Sequence, residues 1–278
     1  MSVISFSRTG PSRSASPTEA TTPAIVFVHG FGCARSDWAA QVAALSSGHD
    51  VIAVDLAAHG ESPGSAADCT IERFGADVAE LLRTIGLAQA VLVGHSMGCR
   101  VVVEAALQAP AKVAGLVLVD GSQFVADASA VLDAAFATPG GYASIVYGMF
   151  AQMFNERSDR EAADAIIARA RRLPPVVGMH ALRDMARYDV TRLDASLSCL
   201  DSPVLALQST YTNARRERQS LEPGATSPYL EMLGRTVRHL QIEIIPGIGH
   251  FPQIDAEDTI NSAISRFLGS IRAQPVRD

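Results

Sequence analysis

One serine in this chain stands where a side-chain hydroxyl can act as a nucleophile. Ser96 is the centre of Gly94-His95-Ser96-Met97-Gly98, with the apolar run Val91-Leu92-Val93 before it and an Ala/Val/Leu-rich helical pattern after it. A buried strand, a sharp turn and a helix in succession are the setting in which G-x-S-x-G forms a nucleophile elbow and lifts its serine above the strand end. So tight a turn leaves no room for side chains two residues before or after the serine, and glycine stands at both places. The amide of Met97 falls at a helix N-terminus, where negative charge is favoured. A serine hydroxyl is a poor nucleophile until a positioned base takes its proton, so a histidine is required. The chain has seven. His250 lies in the glycine-rich stretch Gly247-Ile248-Gly249-His250-Phe251-Pro252 after an apolar run. His95 adjoins Ser96, but neighbours at such a turn point in different directions, so it reads as structural. His29 reads as a loop brace and His59 as a brace for the loop of Asp55, while His49, His180 and His239 carry no specific signal.

The elements that must position these residues follow from hydrophobic pattern. Ala24-Ile25-Val26-Phe27-Val28, Val51-Ile52-Ala53-Val54-Asp55-Leu56, the run before Ser96 and Gly115-Leu116-Val117-Leu118-Val119-Asp120 are continuous apolar stretches. Such runs mark strands buried on both faces of a parallel sheet. Between them lie helical patterns: one from near Trp38 to Gly48, one begun by Thr70 and carrying Ile71, Phe74, Val78, Leu81, Leu82 and Ile85, and one from Met97 to about Ala109. The alternation predicts βαβ units. It breaks after Asp120. Residues 121–202 show no strand pattern, only helix-like segments around 126–137, 142–154, 160–172 and 177–188, punctuated by Pro139, Gly140, Gly141, Pro174 and Pro175. They read as a helical cap over the C-terminal edge of the sheet. Strands return at Pro203–Leu207 and Ile242–Pro246, and a final helix carries Ile260, Ile264, Phe267 and Leu268. The expected division is a flexible arm over 1–22, a core over 23–120 and 203–272, and the cap over 121–202. Within the arm, Ser2–Phe6 is a candidate short edge strand.

Composition narrows the class. A chain of 278 residues with 48% hydrophobic and 19% charged residues can bury a full core. A net charge of −6 argues against nucleic acid or an anionic membrane as the main partner. No apolar run approaches the roughly 20 residues that span a bilayer. Residues 1–23 lack the continuous apolar region of a secretory signal. Cys33, Cys69, Cys99 and Cys199 are scattered, fit neither metal-ligand spacing nor a disulfide framework, and read as reduced thiols of a cytoplasmic protein.

Four motifs stand in a fixed order, each after a strand: His29-Gly30-Phe31-Gly32; Asp55 with His59-Gly60-Glu61-Ser62; Gly94–Gly98; and Gly247–Pro252. From about Pro23 to Leu268 the chain thereby resembles the α/β-hydrolase superfamily, and within it the capped serine esterase, lactonase and C–C-hydrolase-like enzymes. The resemblance implies an α/β-hydrolase fold, a mostly parallel central sheet flanked by helices with a cap inserted after the strand ending at Asp120. It also implies His250 as general base and the backbone amides of Phe31 and Met97 as donors to the oxyanion. The acid is where the chain departs from the family. Relatives usually carry an aspartate after the strand corresponding to Val204–Leu207, and here that loop reads Gln208-Ser209-Thr210-Tyr211-Thr212-Asn213-Ala214-Arg215-Arg216-Glu217-Arg218. Asp120, ending the strand after the elbow, is the preferred candidate. Glu217, in a basic run expected to be helical, Glu222, and a neutral helper such as Thr212 or Asn213 remain open.

The expected activity is hydrolysis of a small to medium carboxylic ester or lactone through an acyl-enzyme on Ser96, with no metal and no organic cofactor. The same fold also serves C–C bond hydrolases of ring-cleavage products, acyltransferases, perhydrolases and non-catalytic ligand-binding relatives. The expected partner is a small molecule with an apolar portion, with a homodimer possible. Phe136, Tyr142, Tyr147, Met149, Phe150, Met153, Phe154 and Met179 offer apolar surface in the cap. Arg169, Arg171, Arg172, Arg183, Arg187 and Arg192, like the Arg215–Arg218 run, read as solvated faces, with an anionic substrate group as the sharper alternative.

Overall fold

The computed structural model describes residues 4–11 and 22–272. Its strands are β1 (Phe6–Thr9), β2 (Ala24–Val28), β3 (Val51–Val54), β4 (Ala90–His95), β5 (Val113–Val119), β6 (Val204–Gln208), β7 (Thr210–Thr212), β8 (Arg218–Ser220) and β9 (Leu240–Ile244). Seven of them form one sheet in the order β1-β3-β2-β4-β5-β6-β9, parallel throughout except for the antiparallel edge pair β1–β3. β7 and β8 pair separately as an antiparallel hairpin.

Every residue of β2, β3, β4 and β6 is buried, as a sheet covered on both faces requires. Successive side chains therefore enter two different cores. Val26, Leu92 and Leu116 join one with Phe74, Val78 and Val102, whereas Phe27, Val93 and Val117 join the other with Trp38, Ile264 and Phe267. The helices are α1 (Ala39–Leu45), α2 (Ile71–Thr84), α3 (Met97–Gln108), α4 (Ala128–Phe136), α5 (Gly141–Ala151), α6 (Arg160–Arg172), α7 (Pro175–Thr191), α8 (Leu193–Ser198), α9 (Pro228–Thr236), α10 (Pro252–Asp255) and α11 (Glu257–Arg272). α1 and α11 cover one face of the sheet, and α2 and α3 the other. Thr70 caps α2 as expected, its hydroxyl accepting from the Arg73 amide at 3.2 Å.

α4 to α8 fill the chain between β5 and β6, where no strand occurs among the described residues. Three features depart from the sequence reading. The edge strand lies at Phe6–Thr9 rather than at Ser2–Phe6, inside the stretch expected to be a flexible arm; residues 1–3 and 12–21 are outside the described residues. The basic run around Glu217 is not helical: Arg216 turns the chain with φ 63° and Arg218 begins β8. Helices α8 and α9 carry no continuous apolar run long enough to announce them.

Each parallel strand delivers one loop to the same end of the sheet. His29–Gly32 leaves β2, Asp55 leaves β3, Ser96 leaves β4, Asp120 leaves β5, the β7–β8 hairpin leaves β6, and Gly247–His250 leaves β9. Side chains from strands far apart in sequence converge there.

Candidate active site

Ser96 sits between β4 and α3 with φ 54° and ψ −113°, a conformation that costs an L-residue and that the surrounding packing imposes. The flanking glycines are required by contact. A Cβ on Gly94 would come 2.3 Å from the Gly98 carbonyl oxygen, and one on Gly98 would come 2.4 Å from that of Val28. A Cβ on Gly30 would lie 3.1 Å from the Cβ of Ser96, so the loop after β2 passes directly beside the serine.

The Ser96 hydroxyl donates to His250 Nε2 at 2.9 Å, and His250 Nδ1 donates to Asp120 Oδ2 at 2.5 Å. Serine, histidine and aspartate thus form one continuous relay drawn from β4, β9 and β5. The His250 loop is tied down on several sides. Its amide donates to the Met153 carbonyl at 2.7 Å, and its carbonyl accepts from His95 Nε2 at 2.7 Å. The Ser209 hydroxyl holds the Gly249 carbonyl and the Ser220 hydroxyl holds that of Ile248. Gly249 leaves room for this, because a Cβ there would stand 2.7 Å from the Met153 oxygen.

Asp120 is fully buried and its φ is 43°, which swings its carboxylate out of the line of β5. The Ser209 and Thr210 amides donate to Oδ1 at 2.8 and 2.7 Å, and the Thr210 hydroxyl donates to Oδ2 at 2.5 Å. Burial alone would raise its pKa. The hydrogen bond from His250 and the charges of His250 and Arg218 outweigh that and hold the carboxyl below its ordinary value. The preferred acid of the sequence reading therefore touches the base. Neither Glu217 nor Glu222 reaches His250; Glu217 instead accepts from Asn213, and Thr212 and Asn213 likewise make no bond to the imidazole.

Two more residues complete this cluster, Thr210, to which the sequence assigns no role, and Arg218, which the sequence places in a run read as a solvated face. Thr210 supports Asp120, and Arg218 lies against both: its Nη1 donates to the Thr210 hydroxyl at 2.6 Å and stands 3.1 Å from His250 Nδ1 and 3.5 Å from Asp120 Oδ2. With Asp120 ionised, Nδ1 carries its proton toward the carboxylate, so the approach of Arg218 to the ring is repulsive rather than a bond. Burial first, and the charge of Arg218 second, lower the pKa of His250 to about 4 against the pull of Asp120. The ring is therefore neutral in the free protein and able to accept the serine proton.

The amides of Phe31 and Met97 donate to no protein acceptor among the described residues. Such amides can receive an oxyanion formed at the Ser96 position. His29 is a brace: Nδ1 donates to the Gly30 carbonyl at 2.7 Å and Nε2 accepts from the Leu56 amide at 3.1 Å. His59 likewise donates to the Ala57 carbonyl at 3.0 Å.

A cavity of about 580 Å³ opens over Ser96 and His250. Of the cap residues that offer apolar surface, Met149 and Met153 line it, joined by Leu132, Met185 and Phe124. Phe136 and Tyr142 instead pack on one another, and Tyr147 is exposed. Arginines expected to be solvated are largely engaged with carboxylates: Arg169 with Asp37, Arg183 with Asp133, Arg187 with Glu72 and Asp184, and Arg192 with Glu104. The four cysteines are free thiols, with Cys33, Cys69 and Cys99 buried and Cys199 exposed. No helix among the described residues is long and apolar enough to cross a membrane.

Comparison with known proteins bears on the family and the fold. Residues 25–263 match the model of a family described as the alpha/beta hydrolase family. The chain is 28% identical over 262 residues to the dihydrolipoyllysine-residue acetyltransferase component of the acetoin cleaving system of Pseudomonas putida, covering 90% of this chain and 64% of that protein. It is 27% identical over 266 residues to an sn-1-specific diacylglycerol lipase of Mus musculus, covering 90% of this chain and 82% of the lipase. Among solved structures, a thermophilic esterase from Thermogutta terrifontis superposes with a TM-score of 0.76 at 26% identity, covering 97% of this chain and 94% of the esterase.

Proposed function

The chain belongs to the alpha/beta hydrolase family, and on that premise we propose that it is a serine hydrolase of small to medium carboxylic esters or lactones. The observation that carries the reading is the unbroken relay from Ser96 through His250 to Asp120 at 2.9 and 2.5 Å.

In the proposed reaction the Ser96 oxygen attacks the ester carbonyl while His250 Nε2 takes its proton. The amides of Phe31 and Met97 hold the tetrahedral oxyanion. His250 returns the proton to the leaving alcohol, which departs and leaves an acyl-serine. Water, deprotonated by the same nitrogen, then releases the acid and restores the serine. Asp120 fixes the imidazole tautomer with the proton on Nδ1 and stabilises the imidazolium that forms at each step. The helices between β5 and β6 serve as a cap, since α4 and α5 supply much of the apolar wall above the serine.

A fluorophosphonate probe and chromogenic esters of graded acyl length test this. Ser96 is expected to be the labelled residue and Ser96→Ala to lose both labelling and turnover. Asp120→Asn should keep the fold and lower kcat by about 10³–10⁴-fold, because the wrong histidine tautomer is then favoured. An unlabelled Ser96, or near-full activity in Asp120→Asn, would sink the assignment. Faster turnover of a vinylogous diketone than of any ester would instead place the chain among the C–C bond hydrolases.

A further inference from the structure

The wall of the cavity over Ser96 carries two arginines, Arg216 and Arg218, and no aspartate or glutamate among the described residues. That is the reverse of the chain as a whole, whose net charge is −6. The two arginines differ in kind. Arg216 reaches outward to Asp127 at 2.6 Å, both side chains being largely exposed. Arg218 is turned inward, its side chain only 13% exposed.

The hairpin explains the inward turn. Arg218 pairs with Thr212 across the β7–β8 ladder, and Thr210 pairs with Ser220. The two-residue period of a strand puts all four side chains on one face. Ser220 on that face holds the Ile248 carbonyl of the histidine loop, so the face is the one turned toward His250.

Arg218 makes one long ion pair and leaves donors unused. Asp120 is the only carboxylate it approaches among the described residues, at 3.5 Å, and both oxygens of Asp120 are already taken by His250, Thr210 and two amides. Only Nη1 of Arg218 has a hydrogen-bond acceptor, the Thr210 hydroxyl. Nε and Nη2 have none in the described protein, and the residue lines the cavity. A guanidinium removed from bulk water with one edge of donors unused is a costly arrangement unless an anion completes it. A planar edge of two parallel N–H groups matches the two oxygens of a carboxylate. The rest of the wall, with Leu132, Met149, Met153 and Met185, suits an apolar chain.

Resting on the serine hydrolase reading above, we propose that the substrate is an ester or lactone bearing a carboxylate on its non-reacting part, which Arg218 binds through Nε and Nη2 while an apolar segment lies against the methionines. The ester bond is cut at Ser96 as already described, and the carboxylate takes no part in bond making.

Paired substrates test this. The monomethyl esters of succinate, glutarate, adipate and suberate are compared with their dimethyl esters, and O-acetyl hydroxybutyrate with its methyl ester, so that the charge lies on the acyl or the alcohol side. The protein is expected to favour the acidic member of at least one pair by about 10–100-fold in kcat/KM, the range a charge-assisted contact supplies. Arg218→Met should reduce that ratio to about one, and Arg218→Lys should retain part of it. The ratio within a pair cancels any general effect of the substitution on the base. Binding of the acidic esters to Ser96→Ala, measured by calorimetry, should weaken when Arg218→Met is added, with no turnover involved. Equal or lower kcat/KM for the acidic member of every pair, in protein whose Ser96 is labelled by fluorophosphonate, overturns the carboxylate inference and leaves the hydrolase reading standing. So does a preference that survives Arg218→Met. Failure of labelling together with failure to cut any member of any pair overturns both.

Discussion

At the scale of residues, the base is set by its neighbours. Burial, and then the positive charge of Arg218, bring His250 down to about 4 even though Asp120 pulls the other way. The catalytic form is the neutral ring, so kcat/KM on a neutral ester should fall on acidification with a midpoint near 4, well below the ordinary histidine value of about 6.5. Arg218→Met removes the second of three depressing causes, burial and the charge of Arg100 being the others, and should move the midpoint upward. Activity regained on return to neutral pH separates this titration from unfolding. A wild-type midpoint near the ordinary value, or an unmoved midpoint in the variant, would contradict the account. The same residues show what a sequence can and cannot disclose. Ser96 and His250 were legible because glycine spacing around them is a local requirement. Asp120 could be named only as a candidate, because its role depends on a φ of 43° and on amides at the junction of β6 and β7, neither of which is local. Arg218 was misread with its neighbours as solvated. What separates it from Arg215 and Arg216 is a turn at Arg216 and a three-residue strand, too short to register as a pattern.

At the scale of elements, the question is what keeps the helices between β5 and β6 in register with the elbow. Arg100, one turn into α3, donates through Nε and Nη2 to Asp189 of α7 at 2.7 and 2.5 Å, and through Nη2 to the Ser122 carbonyl at 2.8 Å. Asp189 also accepts from the Phe124 amide at 2.7 Å. Both partners are 1% exposed, so the helix that begins at Ser96 is locked to α7 through a dry ion pair. Such a pair adds little over an apolar substitute, but breaking it leaves a buried charge alone. Asp189→Ala should therefore lower stability by about 3–5 kcal/mol, read as a shift in the urea unfolding midpoint. Asp133→Ala, which removes the exposed partner of Arg183, is the control and should be close to neutral. Equal shifts in the two variants would show that Asp189 is no anchor. Four of these helices, α4 to α7, were legible as helix-like segments, with α6 expected at 160–172 and found there, whereas α8 was not. The hairpin β7–β8 was not, since two strands of three residues have no periodicity to read.

At the scale of the whole molecule, the sheet gathers four histidines into its interior at the active end: His29, His59, His95 and His250 are all buried. Three of them support loops rather than react, and each gains its hydrogen bonds by giving up solvent. Burial is the first cause of depression in every case. His29 and His59 are lowered, His95 falls to about 3 with the charge of His250 as the second cause, and His250 falls to about 4. The sign of the consequence follows from proton counting. Below about pH 6.5 the unfolded chain protonates these rings while the folded chain keeps them neutral, so the unfolded state binds more protons and stability falls as pH falls. The contribution is complete above the ordinary histidine value and is lost as pH drops toward the folded values. Asp120, held below its ordinary value, adds the same sign at lower pH, and Asp255, raised chiefly by burial, opposes it with a single group. Tm should therefore decline steadily from pH 7 to pH 5, before carboxylates begin to titrate. Replacing His59, whose Nε2 has no hydrogen-bond partner among the described residues, by Gln should flatten part of that slope. A Tm that holds constant or rises over this range would mean that the interior tolerates imidazolium, and the low value assigned to His250 would fall with it.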